Sequence, residues 1–158
     1  MFSTIMTFIN AAIIQGIPLL FGATGEIITE KSGNLNLGIP GIMYVGGISG
    51  IIGGYLYEHS TENPVPILCI LISFFSCLAG AVILSLIYSF LTISLRANQN
   101  VTGLALTTFG VGIGNFFGGS LLNFFGESGS ISLLETGKAY KSYLPIADKT
   151  GIFGQTFL

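Results

Sequence analysis

The run PILCILISFFSCLAGAVILSLIYSFLTISL, Pro66–Leu95, passes thirty residues without one charged side chain. As a helix rising about 1.5 Å per residue it would be about 45 Å long. The hydrocarbon of a bilayer is only about 30 Å thick. Such a helix tilts or projects past the membrane. The apolar residues run on without the alternation that marks a strand of a transmembrane barrel. Lipid supplies no partner for open backbone groups, so a helix is the form this run takes.

Working outward, the uncharged stretch around it extends from Asn63 to Leu95, and three more flank it: Met1–Gly25, Ser32–Tyr57 and Ala97–Gly126. Each exceeds the roughly 20 residues that a crossing helix needs. The 158 residues are 51% hydrophobic and 8% charged, against about 25% charged in a soluble domain. That is too little polar surface to coat a water-soluble globule. The expectation is an all-α, polytopic transmembrane bundle of about four spans, forming a single domain over residues 1–158. Gly16 and Pro18 should break the first span near its middle. No Lys or Arg precedes that span, so it does not read as a secretory signal. Past Gly126, ESGSISLLETGKAYKSYLPIADKTG is polar and carries three lysines. It reads as a long external loop or a partly ordered tail, and IFGQTFL after it as the start of a fifth span.

The rarer residues narrow the chemistry. A net charge of -2 makes no case for nucleic acid. Cys69 and Cys77 lie about 12 Å apart along a helix axis, too far for a disulfide, and read as packing residues. His59 is the sole histidine, so no metal site is expected. No nucleophile, base and orienting group are assembled, so neither catalysis nor a cofactor is expected. The phosphate-binding pattern GxxxxGK[ST] is absent. Lys31 and Arg96 fall in links on one face of the membrane. The link at Glu58–Pro66 on the other face has neither Lys nor Arg. The positive-inside rule places Lys31 and Arg96 in the cytoplasm and the N-terminus outside. Glu26, Glu30, Lys31 and Arg96 then snorkel, or pair, at the cytoplasmic face.

Two features stand out within the spans. Gly46, Gly50 and Gly54 recur at i, i+4 in the second, and Gly110, Gly114 and Gly118 in the fourth. Rows of this kind let helix backbones approach closely in lipid. Polar joints precede both spans: Asn34 and Asn36 before Gly38 and Pro40, and Asn98, Gln99 and Asn100 before VTGLALTTFG. An amide at membrane depth is costly unless paired. Two readings stay open. The joints are helix breaks lining a translocation pathway, which is where transporters place their sites. Or they are membrane-surface loops in which Asn caps a helix.

GEIITEKSGNLNLGIPGIMYVGG, Gly25–Gly47, resembles the signature of permease subunits of bacterial ATP-binding cassette importers, in the branch serving branched-chain amino acids, simple sugars and nucleosides. Gly25, Glu26, Ser32, Gly33, Leu35, Asn36, Leu37 and Gly38 carry the likeness. LRANQNVTGLALTTFGVGIGNFFG, Leu95–Gly118, is similar to a second block of that family. Pro40 and Gly41 depart from it, standing where an acidic residue and glycine are expected. The chain resembles the N-terminal half of longer relatives.

The resemblance implies a permease importing nucleosides, or next to them simple sugars, across the bacterial plasma membrane. It implies an ATPase subunit, a second permease subunit and an extracellular substrate-binding lipoprotein as partners. An ATP-independent secondary transporter or channel is the alternative. Such a protein more often buries ionisable residues in mid-span to couple ions, and no span here has one in its middle. A non-transporting assembly protein held by its glycine rows is a third reading.

Overall fold

The computed structural model describes residues 2–124 and 133–140. Five α-helices follow in order among them: α1 (Phe2–Lys31), α2 (Ile39–Ser60), α3 (Pro66–Ser89), α4 (Gln99–Phe124) and α5 (Leu134–Tyr140). A π-helical turn, Phe90–Ser94, continues α3. Among the described residues, four of these helical segments are long and apolar enough to cross a membrane. This is the all-α transmembrane bundle expected. The expected start of a fifth span, at residues 152–158, lies outside the described residues, as do Lys141 and Lys149.

The first span is not broken. α1 runs unbroken through Gly16 and Pro18. Proline removes one backbone donor, here the partner of the Ile14 carbonyl, and costs a helix about 3 kcal/mol or more. Unwinding in lipid would leave several backbone groups unpaired at several kcal/mol each. The smaller loss wins, and the helix persists. The two later prolines sit where they cost little. Pro40 and Pro66 occupy first turns, whose N–H groups have no intrahelical partner in any case.

α2 is the central element, packed on α3 along one face and on α4 along another. Gly46 and Gly50 face the Cys77 and Ser73 carbonyls of α3. A Cβ on Gly50 would lie 3.1 Å from the Ser73 oxygen, and one on Gly46 3.3 Å from that of Cys77. The other side of α2 presents Gly41, Tyr44 and Ile48 to Gly110, Gly114 and Gly118 of α4. A Cβ on Gly110 would meet the Gly41 carbonyl oxygen at 2.5 Å and its Cα at 2.7 Å. Backbone touches backbone there, which no larger residue permits.

The two glycine rows therefore do not meet each other. Ile42, Val45, Leu84, Tyr88 and Leu106 form the buried core between the three helices, flanked by Ala81 and Ile113. Elsewhere the surface is apolar. Phe8 is 75% exposed and Phe21 73%, and the apolar window of α1 is 0% buried. In water such a surface would aggregate; in a bilayer it faces lipid or further helices.

At one end, Glu58 in the last turn of α2 reaches α5. Its carboxylate accepts hydrogen bonds from the Glu135 N–H (2.9 Å), the Thr136 N–H (3.2 Å) and the Thr136 hydroxyl (3.0 Å). Tyr140 donates to the Ile70 carbonyl at 3.3 Å. The polar segment expected as a loop thus contains a short helix folded back on α2 and α3. Its local composition is polar, and the carboxylate that caps it comes from 77 residues earlier in the chain.

Candidate functional site

The other end of the bundle holds both polar joints. α1 closes with the Asn34 N–H on the Thr29 carbonyl at 3.2 Å and Gly33 at φ 90. This is the six-to-one bond and left-handed residue of a glycine-terminated helix. The chain is then non-helical over Asn34–Asn36 before α2 begins. Every link between helices must find partners for the backbone groups it leaves unpaired. Here they come from three helices. The Asn36 N–H donates to Glu26 Oε1 of α1 at 2.9 Å, and the Leu35 N–H to Gln99 Oε1 of α4 at 2.9 Å. The Leu35 carbonyl accepts from the Tyr88 hydroxyl of α3 at 2.7 Å. The Leu37 carbonyl accepts from Thr107 of α4 at 2.6 Å. Asn36 Oδ1 takes the Gly38 N–H at 2.9 Å, so its buried amide shapes the entry to α2.

The second joint repeats the device. α3 ends in its π turn, with the Leu95 N–H on the Phe90 carbonyl (3.1 Å) and the Ala97 N–H on the Leu91 carbonyl (3.0 Å). Arg96 is left-handed at φ 53 and, with Gly33, is one of two such residues among those described. Asn98 Oδ1 then caps α4, accepting from the Asn100 N–H (3.0 Å) and the Val101 N–H (3.2 Å). The joints are tied together. Gln99 holds the Leu35 N–H with its oxygen and donates with its nitrogen to Asn34 Oδ1 at 3.0 Å.

The six polar-joint residues singled out in the sequence are thus placed as follows. Asn34, Asn36, Gly38 and Gln99 form one connected network. Asn98 is a helix cap and exposed. Asn100 is exposed and offers only its backbone to that cap. Gly38 is buried against Leu106, where a Cβ would lie 3.1 Å from the leucine Cδ2. Lys31 and Arg96 lie at this same end. Neither pairs with Glu26 or Glu30, and among the described residues the one salt bridge joins Lys138 to Glu135. Glu26 Oε2 is buried with no partner.

Beside the joint lies a cleft of about 290 Å³ between α1 and α3. Thr29, Asn34, Asn36, Ser85, Ser89 and Thr92 line it with the Tyr88 hydroxyl group's residue between them. No charged side chain lines it. Sequence reasoning missed Glu26 as a structural acceptor, and Tyr88, Thr107, Ser85, Ser89 and Thr92 altogether. One signal was present: Ser85, Ser89 and Thr92 recur at i, i+4, i+7 in the most apolar span, a polar stripe at helical spacing. A second, largely apolar cavity of about 350 Å³ lies under α5, lined by Gly50, Ser73, Cys77 and Thr136 among others.

Comparison with known proteins places the chain among others of its kind. Residues 8–148 match the family described as the permease component of the branched-chain amino acid transport system. The putative glucose ABC transporter permease protein TsgC13 of Haloferax volcanii is 36% identical over 110 residues, 70% of this chain and 30% of its own. The guanosine ABC transporter permease protein NupQ of Bacillus subtilis is 28% identical over 104 residues, 66% of this chain and 31% of its own. The nucleoside ABC transporter permease protein NupC of Lactococcus lactis subsp. cremoris is 30% identical over 133 residues, 84% of this chain and 39% of its own. The chain therefore spans well under half the length of these relatives. No solved structure matches it. Four apolar helices together with these likenesses make it a multi-pass protein of the plasma membrane. With the family pattern matched from residue 8 to residue 148, across both polar joints and the helices they connect, the chain belongs to the family of branched-chain amino acid transport permeases.

Proposed function

We propose that this chain is a transmembrane permease subunit, or the N-terminal half of one, in an ABC transporter that imports nucleosides or simple sugars. The observation that carries this reading is the convergence of the two signature blocks. Gln99 of the second block bonds both Asn34 and Leu35 of the first, 65 and 64 residues earlier in the chain. A link held by side chains from three helices is non-helical backbone packed against protein, the setting in which such backbone can border a water-filled path. The glucose, guanosine and nucleoside permeases among its relatives favour a neutral solute. No observation favours the ATP-independent alternative.

In this reading the chain supplies the pathway and no catalysis. An ATPase subunit at the cytoplasmic face drives it. A second permease subunit completes the path, and an extracellular lipoprotein delivers the solute. Asn34 and Asn36 wall the path. Gly38, Asn98, Gln99 and Asn100 support the hinge, and rocking of the bundles about the joint alternates access. Lys31 and Arg96, sharing the joint's end, place that end in the cytoplasm.

The test is uptake of labelled guanosine, adenosine and glucose by cells carrying the assembled transporter. Chain-dependent uptake is expected for at least one of them. Asn36→Leu and Asn98→Leu should lower it, Asn36→Leu by about tenfold or more if loss of its bond to Gly38 costs about 1.5 kcal/mol. Wild-type uptake in both variants would remove the joint from the pathway. Reproducible absence of an ATPase from the complex purified out of native membranes would remove the ABC reading.

A further inference from the structure

We propose that the cleft between α1 and α3 is a subsite for the hydroxylated ring of a neutral solute; this rests on the transport reading above and gives it a location. Eight of the twelve residues lining the cleft are polar: Thr29, Ser32, Asn34, Asn36, Ser85, Tyr88, Ser89 and Thr92. Such a concentration is expensive at membrane depth, in a chain whose exposed surface is otherwise rich in large apolar side chains.

The hydrogen-bond inventory tells what the cleft offers. Four of its hydroxyls have already given their hydrogen to backbone carbonyls. Thr29 donates to Gly25 at 2.8 Å, Ser32 to Thr29 at 2.6 Å, Tyr88 to Leu35 at 2.7 Å and Thr92 to Tyr88 at 2.9 Å. Each such oxygen keeps lone pairs and has no further hydrogen to offer. The Ser85 and Ser89 hydroxyls hold no hydrogen bond within the described residues and are free to turn either way. Asn34 and Asn36, whose side-chain oxygens are taken by Gln99 and by the Gly38 N–H, keep amide N–H donors beside them, so the wall offers donors as well as acceptors. Its complement both gives and takes hydrogen bonds within a short span, as adjacent hydroxyls on a ring do.

Charge and size restrict the ligand further. With no cationic side chain in its lining and the Glu26 carboxylate behind Asn36, the cleft would leave the carboxylate of an amino-acid zwitterion unpaired, a heavy desolvation cost. An uncharged polyol meets no such cost. A volume of about 290 Å³ stands at the small end of ligand pockets, which run from about 300 to 1,000 Å³. It suits one ring. Ile39, Ile42 and Ile93 in the same lining offer an apolar patch to the C–H face of that ring. The π turn Phe90–Ser94 contributes Thr92 and Ile93 to the wall. Such turns are frequent at functional sites. A ribose within a nucleoside and a free hexose share this chemistry.

Thiol labelling in the assembled transporter tests the assignment. Ser89→Cys is introduced and its reaction with N-ethylmaleimide in membranes is measured as the excess over wild type, which keeps Cys69 and Cys77. Adenosine, 2′,3′-dideoxyadenosine, D-glucose and L-leucine are each added as protectants. Labelling is expected, and it should slow about tenfold at ten times Kd of the recognised polyol. Protection by adenosine identifies a nucleoside's ribose, and protection by glucose identifies a free sugar. Dideoxyadenosine and leucine should protect little. Ser85→Cys, one turn away on the same wall, gives the same readout should Ser89→Cys fail to assemble.

No labelling, protection by leucine equal to that by the polyols, or no protection by a solute that the same cells import would overturn the subsite alone. Absence of any chain-dependent uptake would overturn the transport reading, and the subsite with it.

Discussion

Glu26 shows how much one side chain does at the joint. One of its oxygens holds the Asn36 N–H while the other is buried and unmatched. Glu26→Leu leaves that backbone donor unpaired, which costs about 1–3 kcal/mol. Glu26→Gln keeps an acceptor for it. The expected outcome is a clear fall in thermal stability in detergent for Glu26→Leu and a much smaller one for Glu26→Gln. Equal stability of all three proteins would show that the bond does not hold the joint. Glu26 was legible in the sequence as a charge near a membrane face. Its role was not, because its acceptor function depends on a backbone group ten residues on, which becomes a free donor only when the helix stops at Gly33. Asn98 shows the converse. An Asn just before a periodic run is a capping signal in any context, and it caps α4.

At the level of helices, glycine position matters more than glycine count. Gly110 lies against the Gly41 backbone, whereas Gly112, two residues on, has nothing within 4 Å of its would-be Cβ. Gly110→Ala should destabilise the bundle by about 1–3 kcal/mol through overpacking. Gly112→Ala should be neutral or slightly stabilising, as alanine is the better helix former. Melting of the two variants side by side in one detergent separates them, and equal melting points would refute the backbone contact. The rows at Gly46 and Gly110 were visible as rows. The partner of each was not, since helical spacing gives a face and leaves open what covers it. Gly41, Gly53, Gly80 and Gly103 also sit at close contacts, although none belongs to a row read from the sequence. α5 depends on the same kind of distant partner. Removing its cap with Glu58→Ala should cost about 1 kcal/mol and should raise hydrogen exchange over residues 134–140 while leaving α2 and α3 protected. Unchanged exchange would mean that packing of Thr136 and Ala139 alone holds α5.

For the molecule as a whole, topology makes a prediction about sidedness. Four crossings put the joints at one end and the Glu58–α5 contact at the other. With Lys31 and Arg96 in the cytoplasm, Thr61→Cys should react with a membrane-impermeant maleimide on intact cells. Ala97→Cys should react only after permeabilisation. Both are made in a Cys69→Ala, Cys77→Ala background. The reverse pattern would invert the assigned orientation. Few helices here have both sides covered: α2 is half buried, whereas α1 packs mainly on α2. That is the surface of a chain that shares its membrane with lipid or with other helices.

Hydropathy and charge spacing determined by themselves that this chain is a set of membrane-crossing helices, because lipid leaves an uncharged run of that length no other way to pair its backbone. They also determined which residues interrupt the runs. What the interruptions do was decided only by the tertiary structure. A freed N–H or carbonyl is satisfied by whichever side chain arrives from another helix, and those partners, Glu26, Tyr88, Gln99 and Thr107, come from segments up to seventy residues away in the chain.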